Sequence, residues 1–482
     1  MSATRTLSVP GAAKAPEAEP LPESETRRNF ALGVANGSLV QGSFACIAPS
    51  IILAPLILDL TGSVMLAGVV GVLQQAFFML PQMAASAYIE SLPRKMTCYR
   101  ICSALRALNW IVICAAVAWL GADPSGFRGP LLAGLIVAFL CVHGMLVGTS
   151  MLAFQDIVAR AVPVTGRERF FGLRTFFGRL IQTALTFMWI PFVLQDQDWL
   201  PYPHNHVLLF CTGLAFEVPA MLCFLLVREP PGPPPEPRRK MTEQFRRART
   251  MLAEEPHLRL LVAFRVLGLI SVMALPLMAV YALAEPSQGG LGLGGSGAER
   301  TELTARAQSR FVVTLAVSEA ALAGVWSWIG GRCSIGLGLA LGVGARLLLT
   351  ALLALAVPLL GWWGTDWETR LNAVTVLYVL QGFQNVLTMI EMQSLVLELA
   401  PADKRPTFFG FLNTLSFPLM LGLPVLGGWV AHAFGYAAAF AAMTVFGVGT
   451  LVVARRLGAA KRHLRERLAP PPAAPLDLTT TR

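Results

Sequence analysis

Apolar residues run through this chain in blocks longer than a helix or strand in the core of a water-soluble domain needs. A hydrocarbon slab takes about 20 apolar residues per crossing helix. Twelve runs meet that length, at 30–56, 64–89, 101–121, 130–157, 170–194, 205–227, 258–284, 306–329, 335–358, 371–398, 408–431 and 436–455. They predict an all-α polytopic membrane protein with twelve transmembrane helices. The first run is too long for a signal-peptide core, and no small-residue cleavage site follows it, so it is expected to stay as a span. The longest polar interval, 228–257, divides the runs six and six. It opens on the proline-rich Arg228-Glu-Pro-Pro-Gly-Pro-Pro-Pro and continues into an amphipathic stretch, Met241 to Glu255, with Phe245, Ala248 and Leu252 at helical spacing. That stretch reads either as a helix lying on the membrane surface or as a solvated hinge. The organisation expected is a disordered cytoplasmic N-tail (1–29), a six-helix bundle (30–227), a cytoplasmic linker (228–257), a second six-helix bundle (258–456) and a cytoplasmic C-tail (457–482).

Composition agrees with the pattern. The chain has 482 residues, 55% hydrophobic and 14% charged, where a soluble domain carries about 25% charged residues. The net charge of +10 would suit a nucleic-acid binder, but position argues against one. With the N-terminus inside, 29 basic residues fall on the inner side and five outside (Arg128, Arg300, Arg306, Arg310, Arg370). Four lie within spans (Arg106, Arg179, Arg265, Arg346). Lys and Arg concentrate on the cytoplasmic side of membrane proteins, so both termini are expected there. Only five of the 38 basic residues are lysine, which points to a GC-rich bacterial genome and hence to a bacterial plasma (inner) membrane. The eight cysteines lie in or beside spans, and no disulfide framework is implied.

The chain repeats itself at an offset of 238. Phe154-Gln-Asp-Ile-Val-Ala-Arg-Ala-Val-Pro163, running on to Arg167-Glu-Arg-Phe-Phe-Gly172, aligns with Met392-Gln-Ser-Leu-Val-Leu-Glu-Leu-Ala-Pro401, running on to Arg405-Pro-Thr-Phe-Phe-Gly410. Gly144/Gly382, Met151/Met389, Gln155/Gln393, Val158/Val396, Pro163/Pro401 and Arg167/Arg405 match. Six spans separate equivalent points, so the repeats are parallel, related by a pseudo-twofold axis along the membrane normal.

Two parallel six-span halves joined by a basic cytoplasmic loop resemble the major facilitator superfamily of secondary transporters. Its loop after span two, echoed after span eight, reads roughly G-x-x-x-D-R-x-G-R-K. The first copy here is Ser86-Ala-Tyr-Ile-Glu90-Ser-Leu-Pro93-Arg94-Lys95, and the second is Gly324-Val-Trp-Ser-Trp328-Ile-Gly-Gly331-Arg332, which lacks the acid. By resemblance, Glu90, Arg94 and Arg332 form a cytoplasmic gate that latches the halves when the cavity faces outward. Arg94, Lys95 and Arg332 also read as plain topology determinants. The drug-exporter pattern of the superfamily is missing. Leu140 stands where those exporters place an arginine, and there is no G-P-x-x-G-G element in span five.

An ionisable group inside a span costs several kcal/mol or more and is a functional candidate by default. Gln381, Gln384, Asn385, Thr388 and Glu391 share one face of span ten, a helix that lines the central cavity if the resemblance holds. Arg179, Gln182, Thr186 and Trp189 form a stripe on span five. Gln75, Phe78 and Gln82 in span two, with Asn36 and Gln41 in span one, complete the expected substrate cavity. Glu319 and Glu391 are the candidates for proton coupling, since a carboxyl shielded from water holds its proton more readily than one in solvent. Arg179 or Arg265 would be the counter-charge, and a static Glu–Arg staple is the competing reading. Glu217 and Arg346 fall on spans peripheral in the superfamily and are expected to be structural. His143 is expected to be a hydrogen-bonded packing residue.

Gly290-Leu-Gly-Leu-Gly-Gly295 fits a dinucleotide pattern by letter, but no βαβ unit surrounds it. It reads as a flexible linker. There is no phosphate-binding loop, no Cys/His set at metal-ligand spacing and no nucleophile elbow. The expectation is therefore a monomeric, non-enzymatic secondary transporter with no cofactor or metal. It would move a small organic solute by alternating access with proton coupling, its partners being that solute, protons and the bilayer, with no nucleic acid. The alternative is a transporter-like sensor or assembly scaffold without flux.

Overall fold

The computed structural model describes residues 22–468 apart from 49–51, 196–199, 233, 236, 273, 295–299, 331–336, 363–365 and 402–403. Helices make up its regular structure, and no strand occurs among the described residues. The first half holds α1 (Glu23–Ala45), α2 (Ala54–Thr61), α3 (Val64–Met79), α4 (Gln82–Glu90), α5 (Met96–Leu120), α6 (Arg128–Ala161), α7 (Arg167–Ala184), α8 (Ile190–Gln195) and α9 (His204–Leu225). The linker carries α10 (Met241–Glu254). The second half holds α11 (Pro256–Val272), α12 (Ala274–Leu283), α13 (Arg300–Ile329), α14 (Leu337–Trp362), α15 (Trp367–Leu399), α16 (Arg405–Phe434) and α17 (Tyr436–Leu468).

Nine helices among the described residues are long and apolar enough to cross a membrane, and the protein is a multi-pass membrane protein. The predicted runs 30–56 and 64–89 each fall on two shorter helices instead. For 64–89 the cause is Pro81, which stands at the N-cap of α4. Proline has no N–H to donate and cannot continue the ladder of α3. At the chain ends helix extends further than expected. Glu23 and Glu25 occupy the first turn of α1, where the helix dipole favours acids, so part of the predicted N-tail is helical. Likewise α17 continues to Leu468 through much of the predicted C-tail. Residues 1–21 and 469–482 of those tails lie outside the described residues.

The repeat is visible in three dimensions. α6 and α15 are its equivalent helices, and each ends at an extended residue, Val162 and Ala400, before Pro163 and Pro401. A residue preceding proline is driven out of the α region, so the same dipeptide stops both. Gly144 and Gly382 allow close crossings. A Cβ on Gly144 would sit 2.6 Å from the Gln74 carbonyl of α3, and one on Gly382 would meet the Ser318 hydroxyl of α13. Small residues at such crossings are how helices approach each other in a membrane. The obstacles differ, since a backbone carbonyl is fixed and a serine side chain can rotate. Gly144→Ala should therefore cost about 1–3 kcal/mol and Gly382→Ala less. Thermal melts of the two variants check this, and equal losses would show that the crossings are not distinguished by what can move.

The loop at 290–294 is not the free linker expected. Leu291 and Leu293 are buried against Tyr281 and Phe440 of the second half. Gly292, at φ +70°, turns the chain between them, a conformation open to glycine at no steric cost. The amphipathic stretch also differs from its reading. α10 packs against α4, α11 and α16 and buries Gln244, Ala248 and Met251, a face rotated from the one marked by Phe245, Ala248 and Leu252.

Candidate functional site

The halves meet along two seams that the repeat makes equivalent, α7 against α13 and α16 against α4. Glycines of the two Phe-Phe-Gly triplets sit at these seams. A Cβ on Gly172 would lie 2.8 Å from the Ser327 Cα, and one on Gly410 would lie 2.8 Å from the Gln82 carbonyl. A buried apolar cluster runs through both halves at the end nearest the linker, from Leu152 and Phe171 to Leu395 and Phe409. At the opposite end the apolar packing is separate, one cluster around Trp110 and Phe139 in the first half and another around Tyr281 and Phe311 in the second. The halves are thus joined at the linker end and divided at the other.

Glu90 locks the α16–α4 seam. Its Oε1 accepts hydrogen bonds from the Thr407 backbone N–H at 3.0 Å and from the Thr407 hydroxyl. Its Oε2 accepts from Gln244 Nε2 at 3.2 Å and Arg247 Nη1 at 3.3 Å, with Arg239 at 3.9 Å. Thr407 lies in the first turn of α16, whose leading N–H groups have no intrahelical acceptor. A carboxylate from the other half therefore caps that helix with its charge favourably placed on the dipole. Linker helix α10 joins the lock through Gln244, whose Oε1 also lies 2.9 Å from the Thr407 hydroxyl oxygen. Of the other two residues assigned to the gate by resemblance, Arg94 is exposed and Arg332 lies outside the described residues. Lys95 is buried, and its ammonium donates to the Ile89 and Leu92 carbonyls at 2.9 and 2.8 Å. Burial pulls its pKa below the ordinary lysine value, against the opposing pull of Asp156, Glu229 and Glu90.

A polar network crosses the α7–α13 seam. Arg179 Nε lies 2.8 Å from Glu319 Oε2, and Arg179 Nη1 donates to Gln182 at 2.7 Å. Asn385 Nδ2 donates to Glu319 Oε1 at 2.9 Å, while Gln381 and Gln384 both donate to Asn385 Oδ1. Gln384 in turn accepts from Arg346 Nε at 2.8 Å. Four helices are linked in this way, from α7 through α13 and α15 to α14.

Beside the network is a cavity of about 290 Å³. Phe78, Met151 and Gln155 line it from the first half, while Arg265, Arg346, Asn385, Thr388, Met389, Gln393 and Asn413 are among its walls in the second. Asn413 also crosses the seam, donating to Gln82 Oε1 at 2.6 Å. Both members of the repeat pairs Met151/Met389 and Gln155/Gln393 face the one cavity. The repeat was the signal that could have named these four, because equivalent positions in parallel halves converge on the pseudo-twofold axis.

The remaining candidates sit elsewhere. Asn36 faces the interior of the first half, donating to the Tyr99 hydroxyl at 3.1 Å and the Ala220 carbonyl at 2.8 Å. Gln41 packs on Gly178 of α7, and Gln75 is exposed. Thr186 and Trp189 fall in a π turn, Leu185–Trp189, which breaks the 3.6-residue spacing of their stripe. Trp189 Nε1 donates to Thr212 of α9 at 3.2 Å. The Glu391 carboxyl lies against Gly338 and Trp326 rather than on the cavity wall. Arg346, expected to be structural, lines the cavity. Glu217 does pair with Arg106, deep in the first half. His143 is packed among Trp110, Phe139 and Phe44 rings, with no hydrogen-bond partner at either nitrogen among the described residues.

No protein-family model and no curated protein matches the sequence. Solved structures do match the fold. A bacterial homologue of the iron transporter ferroportin, in its outward-facing state, is 11% identical with a TM-score of 0.66, over 90% of this chain and 99% of that one. The E. coli fucose:proton symporter is 16% identical with a TM-score of 0.64, over 89% and 98%. A proton:xylose symporter of the major facilitator superfamily is 12% identical with a TM-score of 0.62, over 90% and 96%. At these identities the likeness is one of architecture, and the chain has the all-α, multi-pass fold of the major facilitator superfamily.

Proposed function

We propose that this protein is a secondary active transporter of a small organic solute, working by alternating access with proton coupling, held here in an outward-facing state. The observation that carries the reading is the asymmetry of the apolar packing, one cluster across both halves at the linker end and two separate clusters at the other. The excess of Lys and Arg at the linker end supports a cytoplasmic placement of that end, in the inner membrane of a bacterium. Substrate sites of such folds lie between the repeats near the membrane midplane, which suits the cavity beside Arg179 and Glu319. Two of the similar structures carry proton symport in their names, which supports Glu319 as the proton carrier and Arg179 as its counter-charge. Gln381, Gln384, Asn385, Thr388, Phe78 and Gln82 serve the substrate cavity, and Glu90 serves the cytoplasmic gate.

Pulsed spin-label distances test the reading. One label pair sits at the outer end, at Met188 and Trp429, both exposed, and another at the linker end. Two interconverting populations are expected, with the outer distance shortening as the linker-end distance lengthens. A single fixed distance at each end would rule out alternating access and favour a scaffold.

A further inference from the structure

The cavity carries more positive charge than its own residues offset. Arg265 on α11 and Arg346 on α14 both line it. Arg346 is 4% exposed, and its guanidinium donates to Gln384 and, at 3.0 Å, to the Gly268 carbonyl. Arg265 Nε donates to the Ser416 hydroxyl at 3.2 Å. Among the described residues neither guanidinium has a carboxylate within 4.0 Å. The acids nearby are committed elsewhere. Glu319 is held by Arg179 and Asn385, and Glu391 lies against Gly338, about two helical turns along α14 from Arg346. Their hydrogen-bond acceptors are neutral, which satisfies donors but leaves the charges. A buried charge is costly unless it is paired, and two like charges facing one cavity add to that cost.

Guanidinium presents a planar fork that matches carboxylate and phosphate oxygens. Beside the neutral amides of the wall, Met151, Met389, Met392 and Phe264 supply a soft apolar part, and flexible thioethers adapt to varied apolar shapes. We propose that the cavity binds a small organic oxyanion, its carboxylate or phosphate group seated between Arg265 and Arg346 and its apolar body against the methionines. The assignment rests on the transport reading for the cavity's role as a passage. It names the substrate class of that same site, and it differs from the sequence-based expectation that left Arg346 structural.

The test is thermal stabilisation and ligand titration of the purified full chain in an uncharged detergent. The probes are phenylacetate and phenyl phosphate, with phenylacetamide as the neutral counterpart, inorganic phosphate as the bare ion and phosphatidylglycerol as a lipid source of the same headgroup chemistry. At least one of the two aromatic anions should stabilise the wild type, and phenylacetamide should not. Arg265→Gln and Arg346→Gln should each weaken that anion's binding about 10- to 100-fold, the loss expected for hydrogen bonds to a charged group. If Arg346→Gln fails to fold, Arg346→Lys and Arg265→Gln carry the comparison. The assignment is overturned if neither aromatic anion binds, if phenylacetamide binds equally well, or if the variants bind unchanged. Stabilisation by inorganic phosphate alone or by phosphatidylglycerol alone also overturns it, leaving an adventitious ion only or a lipid site. The transport reading fails separately. Anion binding by a protein whose ends do not exchange sinks transport and keeps the site, whereas exchanging ends without anion binding sink the site and keep transport.

Discussion

Glu90→Ala should shift the protein from the linker-end-closed arrangement towards one open at that end. The carboxylate is buried and accepts from Thr407, Gln244 and Arg247, three contacts that tie α4 to α16 and α10. Opening the seam would give each of these groups to water, so the whole network counts towards the closed state alone. Its removal should cost that state about 2–4 kcal/mol, in the range for losing one partner of a buried charged network. At 1.4 kcal/mol per factor of ten the change is large enough to invert a population. Spin-label distances across the α16–α4 seam are the readout. Thr407→Val keeps the backbone N–H and should move them less. An unchanged distance distribution in Glu90→Ala would mean that apolar packing alone holds the end shut.

The second large effect is expected at Glu319. Glu319→Gln keeps an acceptor for Asn385 but leaves Arg179 without its counter-charge, 2.8 Å away in the wild type. Breaking one side of a buried pair costs about 3–5 kcal/mol, and solvent access to Arg179, which is 27% exposed, brings the expected loss towards about 2 kcal/mol. The double variant Arg179→Gln, Glu319→Gln removes both charges and should recover most of the stability. Coupling should not recover with it. If Glu319 is the proton carrier, glutamine mimics its protonated form, so the wild type should show a pH-dependent outer-end distance and both variants should lose it. Melts and distance measurements at acidic and alkaline pH separate the two roles. A pair that is only a staple would change stability and leave the pH dependence of the distances intact.

Much of this architecture was legible because membrane helices announce themselves by length and apolarity. The 238-residue offset then supplied the relation between the halves, since sequence identity at Gly144/Gly382 and in the Phe-Phe-Gly triplets follows from equivalent close crossings. The polar face of α15 was equally readable, and Gln381, Gln384 and Asn385 do lie in one hydrogen-bonded network. Extrapolation from periodicity ended where the helices stop being regular. Pro81 splits one predicted span, and the π turn at Leu185–Trp189 rotates Thr186 and Trp189 away from the stripe assigned to them.

What the chain determined by itself is an all-α, multi-pass fold, its repetition in two parallel halves, and which apolar runs carry polar residues. These depend on local hydropathy and on like sequence folding alike. Only the tertiary structure decided which polar residues meet. Glu319 found Arg179 in the other half, Glu90 found the start of α16, and Glu391 turned to Gly338. Arg346 came to the cavity wall although its span was expected to be peripheral. Pairing of this kind depends on helix rotation and crossing, which set the approach of residues far apart in sequence and leave no periodic trace along it.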